Sequence, residues 1–336
     1  MNAVETVEIV KNNYEIPIYT AIKIKNVYKL EGYNGEVYCL KVIHYEYGHF
    51  LFILEAIKHL IKNGFKNILE IITTKDGKDY INYGKDFAYV TRWANVRECN
   101  YDNPIDVILA TSTLANLHRK SEDFLVTNEM KPRNYWLKWI ENFETRKNEI
   151  FDFQNRSERK NEFDYKYLKL IYGEAERADK AIQNLKKSDY KEKMVEEMKK
   201  NGYCHHDYAH HNVLINKNSE VVVIDFDYCI LDTHLHDIAS LLLRKMKHGK
   251  WDLDNAINIL EVYSAINPIK QSDIPVLAAF MEFPQDFWQL GIQYYWEKQP
   301  WGEEFFINKL NKIILDMEEK QEFIEVFRKQ KFGGNG

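Results

Sequence analysis

The chain contains no apolar run approaching the ~20 residues that a membrane-spanning helix needs. Its first residues, MNAVETVEIVKNNY, are polar and carry no apolar signal core, so synthesis in the cytosol is expected. Cysteine is scarce: Cys39, Cys99, Cys204 and Cys229 stand far apart with no C-x-x-C spacing. They read as free thiols in a reducing compartment, serving as small buried hydrophobes. A basic block is also missing, because Lys and Arg are scattered along amphipathic stretches and the net charge is -5 with a pI near 6.2. Nucleic-acid binding is therefore not indicated. What the chain does have is 45% hydrophobic and 14% aromatic residues, too many for a disordered protein, in a length of 336 that favours two lobes or domains sharing a cleft.

Residues 21–42, AIKIKNVYKLEGYNGEVYCLKV, form two β-rich runs joined by Asn34-Gly35, a dipeptide suited to the positive φ angles of a tight hairpin. Residues 50–63 then place Leu54, Ile57 and Ile61 on one helical face, with Gly64 as the stop. Short strands are predicted at 68–73, 79–83 and 87–91, with a Lys-Asp-Gly-Lys turn between the first two. Together these segments predict a small antiparallel sheet with one helix. After Thr91-Arg92-Trp93 the texture changes: residues 104–120 carry Val107, Ala110, Leu114 and Leu117 at helical spacing, and helices dominate from there. The expected lobes are 1–92 and 93–336. Between 161 and 187, Leu168, Ile171, Ala175, Ala178, Ile182 and Leu185 form a core-facing stripe. The only β-like interruption expected in this half is Tyr203 to Asp227, with Val213-Leu214-Ile215 and Val221-Val222-Val223-Ile224 flanking a polar turn.

That interruption carries the chemistry. It reads Cys204-His205-His206-Asp207-Tyr208-Ala209-His210-His211-Asn212, and later Val223-Ile224-Asp225-Phe226-Asp227, so carboxylates and a carboxamide gather beside a short hairpin. Phosphoryl transfer from ATP needs a carboxylate to orient or deprotonate the acceptor hydroxyl, and oxygen ligands to hold magnesium against the phosphates. Asp207 suits the first task; Asn212 and Asp225 suit the second, and Asp227 is either a further magnesium ligand or a turn residue.

The pattern H-x-D-x-x-x-x-N followed by I-D-F-[DE] resembles the aminoglycoside and choline kinase-like superfamily, with His205, Asp207 and Asn212 in the fixed positions and Asp225 18 residues beyond Asp207. Within it, HHDYAHHNVLI, VVVIDFDYCILDTHLHDIASLLLRKMKHGKWD and FILEAIKHLIKNGF are similar to CotS-type spore coat proteins. The resemblance implies an α+β, bilobal protein kinase-like fold, a small antiparallel-sheet N-lobe and a larger helical C-lobe with ATP between them. It also implies synthesis in the mother cell and deposition on the spore coat, in company with other coat proteins. By the same resemblance Lys41 would meet the nucleotide phosphates and pair with Glu55, and the backbone near Thr91, Arg92 and Trp93 would receive adenine. His205 and Asp237 would support the catalytic loop. The sequence departs from protein kinases in lacking a G-x-G-x-x-G loop before Lys41, in having Asp225-Phe226-Asp227 for D-F-G, and in Ala209 where a lysine is usual. His206 replaces a glycine common in the superfamily, a change expected to be tolerable if its side chain points outward.

Other readings compete. His205, His206, His210 and His211 with Cys204 and Asp207 could form a transition-metal site, although adjacent loop histidines more often face solvent. An HD-type metal phosphohydrolase would use His118, His206-Asp207 and Asp237, but such enzymes are almost wholly helical. A coat component that has lost phosphotransfer would keep the fold alone. The acceptor, a hydroxyl of a small molecule or a coat component, is undetermined. Phe283, Phe287, Trp288, Tyr294, Tyr295 and Trp296 read as helix-packing core before they read as a substrate pocket.

Overall fold

Asn2 starts the first helix: its side chain accepts from the Glu5 amide while Glu5 reaches back to the Asn2 amide, so two otherwise unpaired N–H groups are satisfied. The computed structural model describes residues 2–158 and 161–332. The chain divides into two compact units, Met1–Arg133 with His205–Ile230, and Asn134–Cys204 with Leu231–Gly336.

In the first unit, helix α1 (Ala3–Asn13) precedes strands β1 (Ile18–Ile24), β2 (Val27–Gly32) and β3 (Val37–Ile43), then helix α2 (Tyr47–Lys62) and strands β4 (Ile71–Ile72), β5 (Ile81–Tyr83) and β6 (Asp86–Arg92). The antiparallel order is β1-β2-β3-β6-β4, with β5 also pairing β6. The β2–β3 turn is the one the Asn34-Gly35 dipeptide predicts, with Gly35 at φ 76°. Alternation along the strands sends Tyr28, Leu30, Tyr38, Leu40, Val42, Ala88 and Val90 into a core that also receives Val10 of the first helix and Tyr14 just after it. Period two then puts Lys41, between Leu40 and Val42, on the opposite face. Helix α2 begins three residues earlier than expected and is buried around more of its girth, since Phe50, Phe52, Ile53 and Leu60 join Leu54 and Ile57 in the interior. Gly64, at φ 77°, ends it as expected.

Beyond Arg92 the structure corrects the expectation of a single β interruption: Val96–Glu98 forms β7, which pairs β8 (Val213–Asn216), itself paired with β9 (Val221–Val223). Helix α3 (Pro104–Ser121), capped by Asn103, buries Val107, Ala110, Leu114 and Leu117. Ile68, predicted as strand, bridges Val223 in parallel, and Asn67 holds the same strand through both its backbone oxygen and its side chain.

The second unit is helical: α4 (Trp139–Arg156), α5 (Glu162–Lys187), α6 (Tyr190–Met198), α7 (Leu235–Met246), α8 (Leu253–Ser264), α9 (Asp273–Glu282), α10 (Gln285–Gly291) and α11 (Glu303–Phe327). A π turn, Ile292–Trp296, continues α10. The α5 stripe is buried as expected except for Leu168, which is half-buried. Phe283 stacks on Phe143 at 4.1 Å and Phe287 on Tyr167 at 4.1 Å, so both are core residues, as is Tyr295, whereas Trp296 is exposed under Arg156. All four cysteines are free thiols, and Cys99, Cys204 and Cys229 are buried. Among the described residues, no helix is long and apolar enough to cross a membrane.

Candidate functional site

The loop entering β8 is fixed before any charged group is considered. Tyr208 is fully buried; its hydroxyl donates to the Ala110 oxygen on α3 at 2.9 Å, and its own carbonyl accepts from the Tyr101 hydroxyl at 3.0 Å. Neither tyrosine was singled out in the sequence, although an aromatic residue directly after Asp207 was the available signal. His205, also fully buried, lies 2.9 Å from the Ile224 oxygen through Nε2 and edge-on to Phe226, which ties the loop to the residues after β9. His206 has φ 70°, the left-handed region, and this explains why glycine suits the position. Its side chain is half-buried, so the condition for easy tolerance, a side chain pointing outward, is met only in part.

Asn212 links the loop to its carboxylate: Nδ2 donates to the Asp207 carbonyl at 2.9 Å and to Asp207 Oδ2 at 3.1 Å. The amide is thereby oriented, and Oδ1 is left without a hydrogen bond. The Asn212 carbonyl accepts from the Ile224 amide at 3.0 Å, which places Asp225 beside the same loop. Asp225 itself is left-handed, at φ 66° and ψ 62°, a conformation that costs a non-glycine residue about 1–2 kcal/mol and turns the chain sharply into the short helical turn Phe226–Tyr228.

That turn brings two carboxylates to one amine. Lys41 Nζ lies 2.9 Å from Asp225 Oδ1 and 2.9 Å from Asp227 Oδ2. Burial disfavours the lysine cation, but the Asp227 and Asp225 charges outweigh it and raise the pKa. For Asp227 the balance goes the other way: burial, aided by the neighbouring Asp225 charge and opposed by Lys41, pushes its carboxyl up to about 6. Two carboxylates share one ammonium, and Asp227 Oδ1 is buried with no hydrogen bond. Such an orphaned oxygen, with a second carboxylate on the same ammonium, is the donor chemistry that hard divalent cations take, and Asn212, on the loop bonded to the Ile224 amide, carries an oxygen of the same kind. Asn212, Asp225 and Asp227 therefore fit magnesium.

One expected contact is absent. Glu55 is met by Lys58 at 2.8 Å, one turn along α2, and Lys58 also pairs Asp79 at 2.8 Å. The Lys41–Glu55 pair is thus corrected: the buried lysine finds two carboxylates at closer quarters, and the half-buried glutamate is satisfied by a neighbour on its own helix.

Thr91 pairs Cys39 and Ile71 within the sheet, two residues along β6 from Tyr89, the residue opposite Lys41. Arg92 is exposed and ion-paired with Glu36, and the Trp93 amide donates to the Val37 oxygen at 2.9 Å, so that amide is already committed. Asp237 lies in the second unit, fully buried in the first turn of α7 and 3.4 Å from His236 Nδ1. Among the described residues the four loop histidines do not converge with Asp207 into a metal-ligand set, and His210 and His211 are exposed. The His206-Asp207 pair sits in a loop before a strand, which is not the helical setting of an HD-type phosphohydrolase.

A mixed sheet-and-helix chain of this topology is the kinase-like fold of aminoglycoside phosphotransferases: an aminoglycoside phosphotransferase from Alicyclobacillus acidocaldarius superposes with a TM-score of 0.84 at 22% identity, covering 96% of this chain and 95% of that one. The amicoumacin kinase hAmiN, solved with AMP-PNP, Ca2+ and amicoumacin, has a TM-score of 0.66 at 14% identity, covering 97% and 94%. Within that fold the chain belongs to the family described as "Spore coat putative kinase YutH", whose model matches residues 7–327. Spore coat protein S of Bacillus subtilis (strain 168) is 25% identical over 281 residues, 82% of this chain and 79% of that protein.

Proposed function

We propose that the protein is an ATP-dependent phosphotransferase of the spore coat that transfers phosphate to a hydroxyl of a small molecule or coat component. The observation that carries this reading is the convergence of Lys41 with Asp225 and Asp227, next to an Asp207 whose loop is oriented by Asn212. In the proposed reaction Lys41 binds nucleotide phosphates and Asp207 aligns the acceptor hydroxyl and accepts its proton, so rate enhancement comes from positioning and fixed charge. Asn212, Asp225 and Asp227 would hold magnesium, which neutralises charge on the phosphates when bound. The nucleotide lobe would be residues 1–92, with adenine at the backbone of Thr91 to Trp93, and residues 93–336 would form the second lobe. His205 would keep the loop in place, and Asp237 would serve as a buried acceptor. The protein would be made in the mother-cell cytoplasm and act among other coat proteins.

A second reading, a coat component with weak or no transfer activity, is favoured by one observation, the Glu55 carboxylate engaged by Lys58. Calorimetric titration with magnesium and ATP separates the two. Binding by the parent that is lost in Asp225→Ala, together with phosphate transfer or release that is lost in Asp207→Asn, supports the enzyme. Absence of nucleotide binding by the parent protein overturns it.

A further inference from the structure

The second unit holds a cavity of about 350 Å³, lined by α5, α10, α11 and the segments after α7 and α9. This is the size of a small-molecule pocket. Its walls are rich in amines, with four carboxylates, Glu174, Glu282, Asp286 and Asp316, placed among them. Lys247, Lys309, Lys312 and Lys320 all line it, and among the described residues none of them is in an ion pair; the Lys309 ammonium lies 5.1 Å from the Trp301 ring centre and 4.8 Å from that of Phe305, and Lys312 is exposed. The nearest polar contact of Lys320 Nζ is the Phe283 oxygen at 3.5 Å, beyond the usual reach of an N–H···O bond. The carboxylates of the lining are otherwise engaged or turned to other work. Glu174 is paired with Arg177 at 2.8 Å, Glu282 accepts from Asn184 and Arg328, and Asp316 accepts from the Gly249 amide and the Trp251 indole. Asp286 is exposed and, among the described residues, makes no hydrogen bond or ion pair; its charge acts at longer range on Lys320 and Lys309, and it is open to a hydroxyl donor.

An amine held in a protein wall without a counter-charge costs solvation free energy that a bound anion would recover. Burial lowers the pKa of both Lys320 and Lys309, and the Asp286 charge offsets this only in part. Four lysines outside any ion pair around one cavity, with an exposed carboxylate at its edge, fit an anion that also carries hydroxyl groups. We infer that this cavity binds a phosphorylated polyhydroxy compound, its phosphate held by Lys320, Lys309 and Lys312 and a hydroxyl by Asp286. The site does not depend on the proposed phosphotransfer chemistry, because every lining residue lies in the second unit.

The test is calorimetric titration of the full chain with glucose 6-phosphate, glucose and inorganic phosphate in turn. The phosphorylated sugar should bind, phosphate more weakly, and glucose not measurably. Lys320→Met and Lys309→Met should each weaken sugar-phosphate binding about tenfold or more, the loss expected for a charge-assisted hydrogen bond. Magnesium-ATP titrations of the same variants should match the parent, which keeps this site separate from the nucleotide reading. Lys320→Met should also raise the melting temperature, which confirms that the variant folds. The proposal is overturned if none of the probes binds at millimolar concentration, if glucose binds as well as its phosphate, or if both variants bind within twofold of the parent.

Discussion

Asp227→Asn tests whether the carboxylate pair is held against its own electrostatics. The replacement keeps shape and removes one charge. In the folded protein burial raises the Asp227 pKa to about 6 from an ordinary 3.8, a difference of roughly two pKa units, or about 3 kcal/mol. Between those two values the folded chain retains a proton that the unfolded chain has already released. Stability therefore declines as pH rises across that interval, and the full penalty is present at neutral pH. Asparagine has no such titration. The variant should match the parent near pH 4 and exceed its unfolding free energy by up to about 3 kcal/mol at neutral pH, read from urea denaturation across a pH series. Adding magnesium and ATP should reverse the order, stabilising the parent and leaving the variant unchanged. A variant less stable than the parent at neutral pH, with parallel pH curves, would refute the reasoning. It would mean that the Lys41 attraction outweighs burial.

Gly291→Ala should lower stability by about 1–3 kcal/mol, because the new methyl group would stand 2.3 Å from the Phe153 ring and 2.4 Å from the Tyr167 hydroxyl, both fixed in the aromatic core; an unchanged thermal melt would show that the rings yield. Trp139→Phe removes the indole donor that meets Asp232 Oδ2 at 2.8 Å, leaving a buried carboxyl whose pKa burial already raises to about 7. The loss should be about 1–3 kcal/mol and larger above that pKa than below it, since the ionised form needs the donor more; urea denaturation on either side of neutrality measures it.

The sheet of the first unit was readable because its strands alternate and its turns carry punctuating residues: Asn34-Gly35 and Gly64 stand where the backbone needs a positive φ. The site motif was readable because His205, Asp207, Asn212 and Asp225 are local in sequence or regular in spacing. Helix α1 was overlooked, since its signal was only the Asn2–Glu5 capping pair and a narrow face of Thr6, Val10 and Tyr14. Strand β7 is three residues long, too short for any period, and exists because Leu214 and its neighbours offer an edge. The partner of Lys41 was beyond the sequence for another reason. Glu55 and Asp227 are equally plausible carboxylates on paper, and tertiary placement alone decides between them.

The first unit is built from two separated stretches of chain, and this fixes an order on its completion during synthesis. Lys41 leaves the ribosome long before residues 205–230, with the whole of 134–204 still to follow. Until then the ammonium has neither Asp225 nor Asp227 beside it, and β9 has not yet reached Asn67. A nascent or truncated product ending at residue 204 would hold most of the sheet and none of the counter-charge, so the carboxylates that meet Lys41 arrive only with the late hairpin.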